Sequence, residues 1–229
     1  MSGGVALVTG ASGDIGHAVG DALAGHGLHV VAVARRFDRL ADLASRRPQV
    51  QPIAADLTIA ADRAAVADAA NGLGRLDLLV LGSGIYQRSD DPTELERQFA
   101  ANVHGPYALL QAVLPLLIAS QGQVVFINST QGLAASPGVG QFAATQHAMR
   151  ALADSLRDEV NPHGVRVASV FLGRTATTRQ AAIFAREGRA YAPERLLQPA
   201  DVAGIVLTLF TLPPTAEVTN ITLRPRLKS

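Results

Sequence analysis

Short apolar runs bounded by turn-forming residues recur along the whole chain. They lie at residues 5–8, 29–34, 51–54, 76–81, 123–128, 166–171 and 219–223. Most are separated by stretches with the 3.6-residue apolar spacing of a helix, such as 15–25, 95–117 and 142–160. Continuous apolar strands that alternate with helices are typical of a parallel sheet covered on both faces. The pattern therefore predicts an α/β fold with a doubly wound sheet of about seven strands.

No linker, repeat or low-complexity segment interrupts this alternation. A length of 229 residues is compatible with one large α/β domain that buries a sizeable core. We therefore expect residues 1–229 to form a single domain.

Composition excludes several classes of function. The chain has 20 Lys and Arg against 19 Asp and Glu, which argues against nucleic acid or an anionic membrane as the main partner. It has no cysteine, so it has no disulfide framework, thiolate nucleophile or thiolate metal site. The apolar run at 108–119 is too short to span a bilayer, and MSGGVALVTG enters a strand without a signal-peptide pattern. We expect a cytoplasmic protein that binds neither a metal nor a membrane.

The segment VALVTGASGDIGHAV carries the strongest local signal. It places Gly10, Gly13 and Gly16 between the first predicted strand and the first predicted helix. Glycines there let the backbone turn tightly and approach a pyrophosphate at the positive end of the helix. Plain turns and helix packing also use glycine, but a position inside a βαβ unit favours dinucleotide binding. The domain is thus predicted to be of the Rossmann type.

The second predicted strand ends in AVARRFDRL. An NAD site usually has an acid about twenty residues after the glycine turn, where it holds the ribose hydroxyls. Here Arg35 and Arg36 occupy that place, and the first acid is Asp38. Two guanidinium groups suit a 2′-phosphate, so the sequence favours NADP(H), although a solvated basic turn would have the same composition.

With these features the chain resembles the short-chain dehydrogenase/reductase family, over nearly its whole length. TGASGDIG is similar to the TGxxxGxG fingerprint of the family, with Asp14 where the middle glycine usually stands. AADLT is similar to the segment whose acid, here Asp56, contacts adenine. FLGRTATT resembles PGxxxT, with Leu172 in place of proline, and Thr177 then falls where the family contacts the nicotinamide carboxamide.

The segment LVLGSGIY stands where members of the family carry NNAG. Leu81 and Gly82 replace the two asparagines, and Gly84 is kept. Together these matches imply a cofactor site made of Gly10, Ser12, Gly13, Asp14, Ile15, Gly16, Arg35, Arg36, Asp56, Leu57, Gly82, Ser83, Gly84, Gln146 and Thr177.

The segment STQGLAASPGVGQFAATQ departs from the family at its catalytic residues. In the family a Ser is followed after thirteen residues by a Tyr, which transfers the proton, and after four more by a Lys, which tunes the Tyr and binds the ribose. Here Ser129 is present, but Phe142 and Gln146 stand at the Tyr and Lys positions. Asn102 in FAANVHGPY matches the helix asparagine of the catalytic tetrad. We expect the Gln146 amide to replace the Lys contact with the ribose.

Few residues are available to supply the missing groups. The only lysine, Lys228, follows the last predicted strand. Tyr86 follows the NNAG-like segment and is the best substitute acid, although it also fits a pocket wall. His147 is adjacent to Gln146, but one step along a helix turns it about 100° away, which favours a surface or packing role.

Three functions remain open. The first is an NADPH-dependent oxidoreductase that uses an altered proton donor, or a protonated imine substrate that needs none. The second is a non-redox protein on the same scaffold: a cofactor-bound scaffold or sensor, or an enzyme for a redox-neutral step such as cyclisation. The third, an ordinary carbonyl reductase, is disfavoured because the Tyr/Lys pair is absent. The resemblance also implies a small organic substrate or ligand, a substrate lid at 179–197, and a homodimer or homotetramer formed through 95–117 and 142–160.

Overall fold

Seven parallel strands form one sheet in the structure, a computed structural model that describes residues 3–227. Lys228 lies outside the described residues. The strands are β1 (Val5–Thr9), β2 (His29–Ala34), β3 (Val50–Ala54), β4 (Leu78–Leu81), β5 (Gln123–Ser129), β6 (Arg166–Leu172) and β7 (Asn220–Leu223). Their order across the sheet is β3-β2-β1-β4-β5-β6-β7. The strand order reverses between β1 and β4, which confirms the doubly wound fold.

Helices cover both faces of this sheet. They are α1 (Asp14–Gly25), α2 (Phe37–Arg46), α3 (Ala60–Gly72), α4 (Pro92–Phe99), α5 (Gly105–Ala119), α6 (Gly140–Val160), α7 (Thr178–Arg186) and α8 (Pro199–Thr211). One core packs α3, α5 and α6 against the sheet, and the other packs α1, α2 and α8 against the opposite face. Alternate residues of β1 enter different cores, Leu7 the first and Val8 the second, because side chains alternate along a strand.

The predicted helix at 95–117 is interrupted in the structure. A π-helical turn, Ala100–His104, joins α4 to α5. The helix also begins earlier than predicted, at Pro92, where the Asp91 carboxylate accepts a hydrogen bond of 2.9 Å from the Thr93 amide. The stretch Pro92–Ala119 is long and apolar enough to cross a membrane by length and composition. Its apolar character is explained by α5, whose Leu109, Leu110, Val113 and Leu117 are buried against the sheet.

The strand predicted at 76–81 begins two residues later than expected, at Leu78. The amide of Leu76 donates instead to the Ser120 hydroxyl at 3.0 Å. Leu76 is fully buried although it lies outside the strand, so its hydrophobic character marks the core and not the strand boundary.

Candidate functional site

A cavity of about 650 Å³ lies at the carboxyl edge of the sheet, where the strand order reverses. Ligand sites of doubly wound folds lie at this edge, and this volume is within their usual range. Every residue that the sequence assigned to the cofactor or catalytic site lines this one cavity. The structure thus brings together residues that are spread over more than half of the chain.

The glycine turn forms one wall of the cavity. Gly10 has a φ of +72°, and a Cβ there would lie 2.6 Å from the Gly82 carbonyl oxygen. A Cβ on Gly16 would overlap the backbone of Gly10. Both positions therefore require glycine, one for the turn and one for close packing. Gly13 precedes α1, whose first-turn amides lack intrahelical acceptors and belong to residues that line the cavity. This turn fits the pyrophosphate of a dinucleotide.

Two exposed arginines stand at the end of β2. Both Arg35 and Arg36 line the cavity, and the Arg36 guanidinium donates to the Ser12 carbonyl at 3.4 Å, which orients it towards the glycine turn. Asp38 is in the first turn of α2 and is not among the lining residues. The positive charge at this end of the cavity is therefore not neutralised by the first acid after the strand.

Asp56 is held in a tight turn at the end of β3. Its Oδ1 accepts hydrogen bonds from the amide (2.9 Å) and the hydroxyl (2.8 Å) of Thr58. Burial raises the pKa of Asp56, but these two hydrogen bonds and the charge of Arg35 outweigh burial and hold the pKa below its ordinary value. The carboxylate therefore stays ionised beside the arginine end of the cavity.

Asn102, in the π-helical turn, fastens the segment that follows β4. Its Oδ1 accepts from the Ile85 amide at 2.6 Å, and its Nδ2 donates to the Ile85 carbonyl at 2.9 Å. The same Nδ2 donates to the Thr145 hydroxyl at 3.1 Å. Short π-helical turns are frequent at functional sites. The Asn102 amide is therefore occupied by protein partners and holds the cavity wall at Ile85.

The floor of the cavity contains Ser129, Phe142, Gln146 and Tyr86. The Ser129 hydroxyl accepts from the Gln131 amide at 3.2 Å. The Phe142 and Tyr86 rings meet edge to face, with centroids 5.2 Å apart. Gln146 is nearly buried, and its Nε2 donates to the Thr145 hydroxyl at 3.2 Å. The ring that stands at the family's Tyr position thus packs against the tyrosine proposed to replace it.

His147 points away from this floor. It is exposed, its Nδ1 lies 2.9 Å from the Ala143 carbonyl oxygen, and it is not among the lining residues. The interpretation of His147 as a surface residue is confirmed.

The first turn of α7 closes over the cavity. Thr177 is the N-cap of this helix, and its hydroxyl accepts from the Gln180 amide at 3.0 Å. The Thr178 amide donates to Asp14 at 2.7 Å, and Arg179 donates to the Gly84 carbonyl at 2.6 Å. The predicted lid at 179–197 therefore consists of α7, which starts one residue earlier, and a loop with a short 3-10 turn at Pro193–Arg195.

Sequence reasoning missed three arginines of the cavity. Arg39 follows the Arg35–Arg36 pair, and Arg174 and Arg179 flank Thr177. Arg179 is exposed at the surface, but the protein atoms around it lower its pKa by desolvation, the charge of Arg35 lowers it further, and Asp14 raises it. Arg179 thus adds positive charge to the region between the glycine turn and β4. The sequence indicated Arg174 and Arg179 only in that both lie close to Thr177 in the segment FLGRTATTR.

Comparison with known proteins agrees with this arrangement. The family model described as short chain dehydrogenase matches residues 4–188. An uncharacterized oxidoreductase of Mycobacterium tuberculosis is 35% identical over 97% of this chain and 91% of its own length. Glycine betaine reductase of Emericella nidulans is 32% identical over 99% of this chain, but the chain spans only 19% of that protein. The chain therefore belongs to the short-chain dehydrogenase/reductase family, a family of oxidoreductases.

A solved structure shares the same fold over the whole chain. It is an alcohol dehydrogenase from the archaeon Thermococcus sibiricus, complexed with 5-hydroxy-NADP. The two proteins are 26% identical, and the match covers 100% of this chain and 99% of the other, with a TM-score of 0.85. The likeness extends the family assignment to the segment after residue 188, which the family model does not match.

Proposed function

We propose that this protein is an NADP(H)-binding oxidoreductase that acts by hydride transfer on a small organic substrate, with an active site that lacks the Tyr/Lys acid–base pair. The observation that carries the proposal is the single cavity that joins the glycine turn and the Arg35–Arg36 pair to Ser129. The 5-hydroxy-NADP complex of the Thermococcus relative supports the same class of cofactor.

Different residues of the cavity would bind different parts of the cofactor. The first-turn amides of α1 would hold the pyrophosphate, and Arg35 and Arg36 would hold the 2′-phosphate through charge-assisted hydrogen bonds. Thr177 and the Gln146 amide are proposed to contact the nicotinamide end. Bound there, NADP(H) supplies or accepts the hydride.

The substrate end of the cavity lacks the family's usual proton donor, because Phe142 stands at the position of the Tyr. General acid–base catalysis typically contributes ~10²–10⁴-fold to rate, and an alcohol such as Ser129 is too weak an acid to replace it. Ser129 is proposed to orient the substrate through its hydroxyl. The proton would come from Tyr86, or would already be present in a protonated imine substrate.

The test is NADPH oxidation with a panel of carbonyl and imine substrates, on the wild type and on Tyr86→Phe. Turnover of carbonyl substrates that falls at least tenfold in Tyr86→Phe would support the tyrosine as acid. Turnover of imines that is insensitive to Tyr86→Phe would support the pre-protonated substrate. Micromolar NADPH binding with no turnover of any substrate would contradict the oxidoreductase.

A non-redox function is the second candidate, and the Gln146 environment favours it. Residues 3–227 contain no lysine, and the neutral Gln146 amide is already engaged by Thr145. A site that keeps the cofactor pocket but has no tuned proton donor suits a cofactor-bound scaffold or sensor, or a redox-neutral enzyme. It predicts tight NADPH binding without turnover.

We also propose a homodimer or homotetramer formed through the helices Pro92–Ala119 and Gly140–Val160. On α5, Leu114, Leu116 and Ile118 remain only partly buried within the described chain. Sedimentation at micromolar concentration should show more than a monomer, and a monomer alone would contradict the proposal.

A further inference from the structure

Arg174 lines the cavity, and its guanidinium lacks adequate hydrogen bonding from the protein. Its Nη1 is shielded from solvent and has no partner among residues 3–227. Its Nη2 lies 3.8 Å from Oε2 of Glu187, which is an ion-pair distance but longer than a hydrogen bond. Arginine has five N–H donors and remains charged, so poor pairing of a part-buried guanidinium is costly. Stability alone therefore does not account for an arginine at position 174.

Packing nevertheless holds Arg174 in place. Its guanidinium lies over the Phe184 ring, 5.0 Å from the centroid, and Phe184 is itself buried. Glu187 is shared, because its Oε2 also accepts from Arg189 at 3.1 Å. One carboxylate therefore faces two guanidiniums, and the group of three retains a net charge of +1.

The sheet register places Arg174 at the substrate end of the cavity. Leu172 pairs with Ser129 between β6 and β5, so Arg174 lies just past the Ser129 edge. The Arg35–Arg36 pair follows β2, which is four strand positions from β6. At ~4.8 Å per strand this separation is about 19 Å. Arg174 is thus too far from the end of β2 to share the 2′-phosphate with that pair.

We propose that Arg174 recognises a carboxylate on the substrate, so that the ligand of this site is a small carbonyl or imine compound with an acid group. The inference rests on the function proposed above and names its substrate class. A guanidinium matches a carboxylate in a two-bond fork. A carboxylate monoanion also balances the single net charge, whereas a phosphate dianion would exceed it and face Glu187.

The experiment compares acids with their uncharged esters. Pyruvate, acetoacetate and levulinate, which differ in the spacing from carbonyl to carboxylate, are each titrated calorimetrically against their methyl esters in the presence of saturating NADP+, which has no hydride to transfer. At least one acid is expected to bind the wild type about ten- to one-hundred-fold more tightly than its ester, as expected for a charge-assisted hydrogen bond. Arg174→Leu should reduce that acid to the affinity of its ester, and Arg174→Lys should keep part of the preference.

Arg186→Leu is the matched control. Arg186 is exposed in the last turn of α7 and is not among the cavity-lining residues. It should leave the preference for the acid unchanged. Arg174→Leu should melt at or above the wild-type temperature, because it removes a poorly paired charge.

The proposal is overturned if no acid binds the wild type better than its ester, or if Arg174→Leu keeps the preference. A wild-type comparison of acid and ester decides the first point even where a variant fails to fold. Titration of NADPH alone separates the two proposals. Absence of NADPH binding overturns the proposed function, whereas NADPH binding without a preference for acids overturns only the role of Arg174.

Discussion

The Asn102 side chain donates to the Thr145 hydroxyl at 3.1 Å and so links the π-helical turn to α6. The same hydroxyl accepts from Gln146 at 3.2 Å and donates to the Phe142 carbonyl at 2.7 Å. A hydroxyl has one donor and two acceptor positions, so Thr145 is fully engaged. Three residues that occupy family catalytic positions therefore depend on one buried hydroxyl.

Replacement of this hydroxyl is expected to destabilise the protein. Thr145→Val removes the acceptor of the buried Gln146 amide and one of the two acceptors of the Asn102 amide, at a cost of about 1–3 kcal/mol. For a chain of this length each kcal/mol lowers Tm by roughly 2–4 °C. Thr208→Val is the control, because its hydroxyl makes the same kind of bond, to the Gly204 carbonyl at 2.8 Å, on an exposed helix position. Equal Tm values for the two variants in thermal unfolding would contradict this role of Thr145.

The arginines after β2 are expected to set cofactor preference. The wild type should bind NADPH about ten- to one-hundred-fold more tightly than NADH, because charge-assisted bonds to a phosphate contribute ~1.5–3 kcal/mol. Arg35→Asp should remove or reverse the preference, since an acid can bind ribose hydroxyls and repels the phosphate. Calorimetry with both nucleotides measures this. Arg195→Asp, an exposed change outside the cavity lining, should leave the ratio intact, and a wild type that binds both nucleotides equally would refute the preference.

Restoration of the missing pair is expected to create carbonyl reduction. Phe142→Tyr adds a hydroxyl to a ring that already lies in the cavity, and Gln146→Lys adds a cation beside the Thr145 hydroxyl. The gain in NADPH oxidation with simple ketones should appear only in the double variant, because without the nearby cation the pKa of the new Tyr is not lowered towards the working pH. Both single variants serve as controls. A folded, NADPH-binding double variant with wild-type turnover would move the balance to the non-redox function.

Asp14 is expected to make the fold sensitive to acid. Burial raises the pKa of Asp14, but hydrogen bonds from Thr178 and the charge of Arg39, 3.3 Å away, outweigh burial and lower it. A carboxyl whose pKa is lower in the folded state stabilises the fold above the unfolded pKa, and this contribution is lost as pH falls below about 4. Asp14→Asn should therefore cost about 0.5–1 kcal/mol near neutral pH, after allowance for solvent screening, and less at pH 3.

Chemical denaturation across this pH range measures the effect of Asp14. Asp158→Asn, on the exposed side of α6, is the control and should show a difference near zero throughout. A cost for Asp14→Asn that stays constant from neutral pH to pH 3 would argue against an ionised Asp14 as its source.

The sheet and the glycine turn were predictable because local sequence determines them. β1 is buried on both faces, so its continuous apolar run marks it directly. Gly10 and Gly16 are required by backbone geometry within their own turn. The π-helical turn was missed because one extra residue hardly changes the helical spacing of apolar positions. Candidate site residues were found by motif position, whereas Arg179 contacts Gly84, 95 positions away in the chain, and no local pattern reports such a contact.

The first turn of α7 also has a consequence for the speed of binding. The bonds from Thr178 to Asp14 and from Arg179 to Gly84 join this turn to the start of α1 and to the segment that follows β4. A dinucleotide that extends from the end of β2 to the end of β5 would cross β1 and β4, which lie between them, so we expect both bonds to open before it is seated. Loading would then follow the opening of the lid and not the rate of encounter. In stopped-flow measurements we expect the observed rate of nucleotide binding to level off as its concentration rises, and Arg179→Ala to raise that plateau.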